Sequence, residues 1–174
     1  MQRRNAGGSL LVIPCVVLLG ACAGVDLKPV ASLSAANALA PSGYSETKVS
    51  DSEYQVRATG TEATPKARIE KIARARAAQI GMEQRLKYYK VASVEFGIVC
   101  SKKHEFYKGG TTSAGSRQTA LINVVYAKEP TDPSFVSAKE SYETLNSELD
   151  NEVIPAEAKA AAEQEAHAGC PQGT

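Results

Sequence analysis

Leu19-Gly20-Ala21-Cys22 sets a cysteine three residues after a leucine, with two small residues between them. That spacing is a lipobox, suited to lipid transfer onto the Cys22 sulfur and cleavage of the bond before it. The preceding residues have the two parts of an export signal: Arg3 and Arg4 without an acid, then an almost wholly apolar Leu10 to Leu19. Two other readings use the same segment. A transmembrane anchor needs about 20 apolar residues, whereas this run is interrupted by Pro14 and ends near Val25, before Asp26 and Lys28. Cleavage at the small-residue pattern Ala21-Cys22-Ala23 would release a soluble chain starting at Gly24. The leucine three before the cysteine favours lipidation. Ala23, with no Asp after the cysteine, resembles the pattern that sends lipoproteins to the outer membrane.

Two further thiols, Cys100 and Cys170, remain once Cys15 leaves with the signal and Cys22 is modified. An even pair in an oxidising compartment suggests a disulfide, worth about 4 kcal/mol in the chain-entropy model for so long a loop. The alternative is a buried Cys100 and a free Cys170. Neither belongs to a C-x-x-C pair, so redox catalysis has no support.

Arg76 is the most unusual charged position, four residues after Ile72 and four before Ile80 on an apolar helical stripe. A guanidinium there must reach water along its stem or meet a partner. Glu46, Glu95 and Gln79 are candidate partners, and the functional alternative is an anchor for a carboxylate or phosphate ligand. Lys102, Lys103, His104 and Lys108, interleaved with Phe106 and Tyr107, form a basic aromatic cluster that suits lipid headgroups or an acidic partner, or else an ordinary solvated hairpin.

Other chemistries find little material. His104 and His167 have no ligand-spaced neighbours for zinc and read as solvated residues. Gly110 to Gly115 lacks the Gly two before the Ser of a nucleophile elbow, and Ser116-Arg117 stands where a phosphate loop needs Lys-Ser/Thr. No cofactor motif is present, and an envelope location argues against nucleic acid as a partner.

The chain has 174 residues, and removing residues 1–21 leaves one domain's worth plus a tether. Its charge is unevenly placed. Residues 57–108 carry 12 Lys and Arg against 5 acids, and residues 109–174 carry 4 against 10. The basic middle could face anionic lipid or cell-wall polymer, or the two halves could attract each other.

Elements that would position these residues follow from periodicity. Residues 23–43 are rich in Ala, Ser and Pro and read as a flexible tether. Tyr54 to Gly60 alternates as a strand with Tyr54, Val56 and Ala58 inward. Thr64 as cap and Pro65 as first residue open a helix over 65–87, with Ile69, Ile72, Ala73, Ala77 and Ile80 inward. Residues 91–100 make a strand with Val94, Phe96, Ile98 and Cys100 on one face, and 119–127 another with Ile122, Val124 and Tyr126 inward. A long Gly- and Ser-rich connection joins them. Asp132 and Pro133 start a helix over 134–149, and Pro155 to Gly169 a weakly packing Ala-rich one unless Cys170 ties it down.

Gly43-Tyr44-Ser45-Glu46, the strand running to Gly60, and the helix carrying Arg76-Ala77-Ala78 resemble a family of small proteobacterial lipoproteins of unknown function. The resemblance covers about residues 43–100. Gln79 and Gly60-Thr61 depart from the Glu and Gly-Asn that the family pattern would place there. The resemblance implies an envelope location and carries over no activity.

The resulting expectation is an α+β protein: signal 1–21, lipidated Cys22 and tether 22–43, a two-layer domain 44–130 of β-α-β-β order with an antiparallel sheet on a helix, and a C-terminal helical segment 131–174. Its function reads as a non-enzymatic, periplasm-facing lipoprotein of the outer membrane that binds an envelope protein or cell-wall component. The competing classes are a small-ligand carrier anchored at Arg76 and an envelope hydrolase or transferase in which Tyr44, Ser45, Glu46 and Arg76 converge.

Overall fold

A computed structural model describes residues 30–37, 41–101 and 115–170. Cys22 and the cluster at Lys102, Lys103, His104, Phe106, Tyr107 and Lys108 lie outside the described residues. The elements run β1 (Gly43–Lys48), β2 (Glu53–Thr59), α1 (Lys66–Glu83), β3 (Tyr88–Ser101), β4 (Gly115–Ala127), β5 (Val136–Ser137), α2 (Ala138–Asn151) and α3 (Ala156–Ala168). All strand pairs are antiparallel, in the order β1-β2-β4-β3-β5. The protein is therefore α+β, with α1 connecting two hairpins that pair through β2 and β4.

The alternation in β2 and β4 produces the core as expected. Tyr54, Val56, Ala58, Ala120, Ile122, Val124 and Tyr126 all point to the side covered by α1. Against them α1 buries Ile69, Ile72, Ala73, Ala77 and Ile80. Ala75 and Ala78 are also fully buried, because α2 packs along the flank of α1 that the sheet leaves open and brings in Leu149, with Tyr142 and Leu145 at its edge. A helix enclosed this way needs small residues around its circumference, and the alanines supply them. Three tyrosines close one end. Tyr126 meets Tyr54 edge-on with centroids 5.6 Å apart and Tyr89 at 6.1 Å, and its hydroxyl donates to the Ala77 carbonyl at 2.7 Å. Burial raises the pKa of the Tyr126 hydroxyl, which keeps it a donor.

Several expectations are corrected. Part of the tether is docked: Ala31 is buried, Leu33 packs on the core, and Ala35 bridges in parallel to Tyr44. Gly43 makes this possible, since its φ is +124° and a Cβ there would lie 2.2 Å from the Ser34 carbonyl oxygen. The polar segment Gly43–Lys48, to which periodicity assigns no element, forms the edge strand β1. Thr64 does not cap α1. Its buried hydroxyl accepts from the N–H groups of Ala31 and Thr61, and Pro65 precedes the first helical residue, Lys66. The helix ends at Glu83 rather than 87, and α2 starts at Ala138 rather than 134 because Ser137 is its cap, accepting from the Glu140 N–H, while 136–137 pairs with β3. Residues 115–118 extend β4 instead of belonging to the connection. The helix after 131 docks on the core, as its apolar spacing requires, through Leu149, Tyr142 and Leu145.

Candidate functional site

Arg76 sits on α1 as the stripe requires, and β1 brings two residues to it. Glu46 accepts from Nη2 at 2.7 Å and from Nε at 3.2 Å, and Glu83, two turns along α1, accepts from Nη1 at 2.8 Å. The Tyr44 ring covers the guanidinium with its centroid 4.9 Å away. Desolvation opposes the charge on Arg76, but its hydrogen bonds to Glu46 and Glu83 outweigh it and raise its pKa. Tyr44 and Glu46 thus converge on Arg76 as supposed. Ser45, one residue off in the alternation, pairs opposite Arg57, and Glu95 lies on β3 opposite Leu121. Glu83 takes the role considered for Gln79. The geometry is a closed ion cluster in which Nε, Nη1 and Nη2 each donate to a carboxylate of the protein itself, which makes Arg76 a structural ion-pair residue rather than a ligand anchor or catalytic group.

Arg68 is a second buried arginine that periodicity did not single out. Its Nε donates to the Ala31 carbonyl at 2.9 Å, and Nη1 donates to the Leu149 carbonyl at 3.1 Å and to Glu152 at 2.7 Å. It clasps the incoming chain, α1 and the end of α2 together. Lys71 joins through Glu148 and Glu152. Burial pushes the Glu152 carboxyl up, but the hydrogen bonds from Arg68 and Lys71 prevail and its pKa is lowered. With Lys66 paired to Glu165 and Lys90 to Asp132, cations of the basic middle meet acids of the C-terminal part. Mutual attraction of the halves therefore has direct structural expression.

Cys100 and Cys170 are bonded, with Cα atoms 5.7 Å apart at a sequence separation of 70. The bond fastens α3 to the outer half of the β3–β4 hairpin. There Ala162 and Ala166 are buried and Gly169 lies so close to Ile98 that a Cβ would fall 2.0 Å from its Cδ1. Gln118, fully buried, donates to the Ala162 carbonyl at 3.0 Å. Cys100 and Ile98 are on the expected face of β3, but that face meets α3 rather than the main core, which leaves Phe96 44% exposed beneath the Lys66 ammonium. His167 is exposed on α3, with Nδ1 3.5 Å from Ser116 Oγ.

A third place was not visible in the sequence. A cleft of about 480 Å³ opens between the end of α1 and the start of α2, with Met82, Leu86 and Ala138 on its walls and Arg85, Lys87 and Lys139 at its rim. The signal that could have found it is the segment Gln84-Arg85-Leu86-Lys87-Tyr88, which leaves a helix without the usual glycine and carries two cations into a strand.

Among the described residues no group of His, Cys, Asp and Glu is arranged to hold a metal ion, and no helix is long and apolar enough to cross a membrane. Comparison with known proteins adds no relative: no family model matches the chain, and no curated protein and no solved structure is significantly similar to it.

Proposed function

We propose that this chain is an exported, lipid-anchored protein of the bacterial envelope, tethered through Cys22 and acting as a non-enzymatic binding domain. The observation that carries the reading is the Cys100–Cys170 bond. Disulfides persist where thiols are oxidised, outside the cytoplasm, and are rare within it. The bond agrees with a signal that ends in a lipobox, and a chain without a redox motif has a structural rather than a catalytic use for it. A binding role is supported by how the charges are placed. Arg68 and Arg76 are committed to holding elements together, and three other cations share with Met82, Leu86 and Ala138 a cleft of the size that small ligands occupy.

The docked residues 30–36 give the tether reading a sharper form. If Cys22 carries lipid, only residues 23–29 separate the anchor from the domain, at most about 25 Å of extended chain. The domain would then ride close to its membrane with the start of α1 toward it. The test is the intact mass of the membrane-fraction protein with and without Cys22→Ser. A mass of the chain from Cys22 plus diacylglycerol and acyl groups, lost in the variant together with membrane retention, is expected. A soluble product beginning at Gly24, unchanged by the substitution, would overturn the anchor and leave a diffusible periplasmic protein.

A further inference from the structure

The cleft at the end of α1 is built at a local cost. Helix α1 terminates with the Leu86 N–H donating to the Gly81 carbonyl at 2.7 Å and the Arg85 N–H donating to Met82 at 3.2 Å, which places Arg85 at the left-handed position of the helix stop. Its φ is +58°, and it is the only non-glycine residue with positive φ among the described residues. Glycine is the ordinary occupant because a Cβ is disfavoured there by about 1 kcal/mol. Lys139 repeats the pattern from the other wall: it stands in the first turn of α2, where the helix dipole favours an acid over a cation. Two placements that local rules disfavour thus meet at one cleft, and such departures collect where a site is being served.

The charges at this rim are also less committed than those elsewhere on α1. Arg85 and Lys87 make no ion pair with a described residue, and Lys139 reaches only Glu143, at 3.8 Å on the exposed side of α2. No acid lines the cleft. Glu83, the acid nearest Arg85 in sequence, is turned to Arg76, and Glu140, which follows Lys139 in the first turn of α2, is not among the residues lining the cleft. Beside the rim cations the walls are apolar, formed by exposed Met82, half-buried Leu86 and buried Ala138. At the end of α1 the Ile80, Gly81 and Met82 carbonyls already accept from the N–H groups of Gln84, Leu86 and Arg85, so the residual negative end of the helix dipole is what the three cations must outweigh for an incoming anion.

We infer that this cleft binds a single-chain anionic amphiphile, with a carboxylate or phosphate held by Arg85, Lys87 and Lys139 and the first part of its alkyl chain on Met82 and Leu86. The complementarity is twofold: charge at the rim and apolar contact below. Either half alone would suit a free phosphate or a neutral hydrocarbon; together they select a molecule with both. This rests on reading the domain as a binding module and names its ligand class, but it does not depend on the lipid at Cys22. If the cleft fails its test, the mass and fractionation result above is untouched, and the converse also holds.

Met82 provides a direct reporter, because Met1 is the only other methionine in the chain. The full chain carrying Cys22→Ser, handled without detergent and labelled with [methyl-13C]methionine, is titrated with decyl phosphate below its micelle concentration. A saturable shift of the Met82 methyl is expected, with inorganic phosphate and decyltrimethylammonium each binding at least about tenfold more weakly. Arg85→Gly should weaken decyl phosphate by about tenfold without lowering the melting temperature, which separates loss of the charge from loss of the fold. No saturable shift, equal affinity for the cationic amphiphile, or an unchanged affinity in Arg85→Gly would each overturn the assignment. Binding to phosphatidylglycerol vesicles without binding to decyl phosphate would overturn it too, since it would mean a charged surface meeting a membrane rather than a cleft receiving a molecule.

Discussion

Arg76 and Arg85 belong to the same stretch of chain and have opposite fates. Arg76 is buried, bonded on three sides to Glu46 and Glu83 and covered by Tyr44; Arg85 is exposed, without an ion pair to a described residue, on a backbone conformation glycine would take more easily. The first looked functional in the sequence because a charge on an apolar stripe is anomalous. The second attracted no attention because a cation near a helix end is ordinary. Burial forced Arg76 to recruit partners, and those partners consumed its capacity to bind anything else. Exposure left Arg85 free while the local backbone cost persisted. An anomalous position therefore marks a constraint, and only the partners reveal whether the constraint is structural or chemical.

The comparison can be pressed by perturbations of decreasing size. The largest is removal of the disulfide. Cys100→Ser with Cys170→Ser should cost up to about 4 kcal/mol in urea unfolding. It should leave the Met82 titration unchanged, because α3 is fastened at Lys66 and the cleft lies at the other end of α1, about 24 Å along the helix. A loss of ligand binding in that variant would show that the two ends of α1 are not independent. Next comes Arg76→Gln, expected to cost about 2 to 4 kcal/mol because it strands Glu46 and Glu83 beside each other and uncovers the inner edge of β1. Tyr44→Leu should cost less, about 1 kcal/mol, through loss of the ring contact alone.

A smaller effect depends on pH. The Glu152 pKa is lowered from its ordinary 4.5 by Arg68 and Lys71, so the folded state binds this proton less readily than the unfolded chain. Its contribution is fully present above about pH 4.5 and is lost as pH falls through the depressed value. Wild type should therefore be more stable than Glu152→Gln at pH 7, by about 1 kcal/mol, with the difference shrinking toward pH 3 in thermal melts. No difference between the two at pH 7, and none on acidification, would mean that the Arg68 clasp is held by the carbonyls of Ala31 and Leu149 alone.

Much of the architecture was legible where a residue's side-chain pattern is dictated by a buried face. The inward positions of β2 and β4 and the Ile69–Ile80 stripe of α1 were read correctly because alternation and helical spacing are enforced by the same core. Legibility fell where backbone pairing, not apolar burial, creates the element. Gly43–Lys48 has only Gly43 buried, since β1 is an edge strand, and β5 is two residues long. The docking of Ala31 was hidden because it depends on Thr64 and Arg68, residues 33 and 37 positions away. The pairing of Cys100 with Cys170 was open to inference from compartment and number alone, whereas the cleft required knowing that α2 begins beside the end of α1.

The most direct test of the contrast is to melt Arg76→Gln and Arg85→Gly beside wild type at pH 7. The account predicts opposite signs: Arg76→Gln melts markedly lower, and Arg85→Gly melts at or slightly above wild type, by the equivalent of about 0.5 to 1 kcal/mol, because glycine relieves the left-handed position. If Arg85→Gly lost as much stability as Arg76→Gln, Arg85 would be a structural residue like its neighbour, and the distinction between a charge spent on the fold and a charge kept for a ligand would fail.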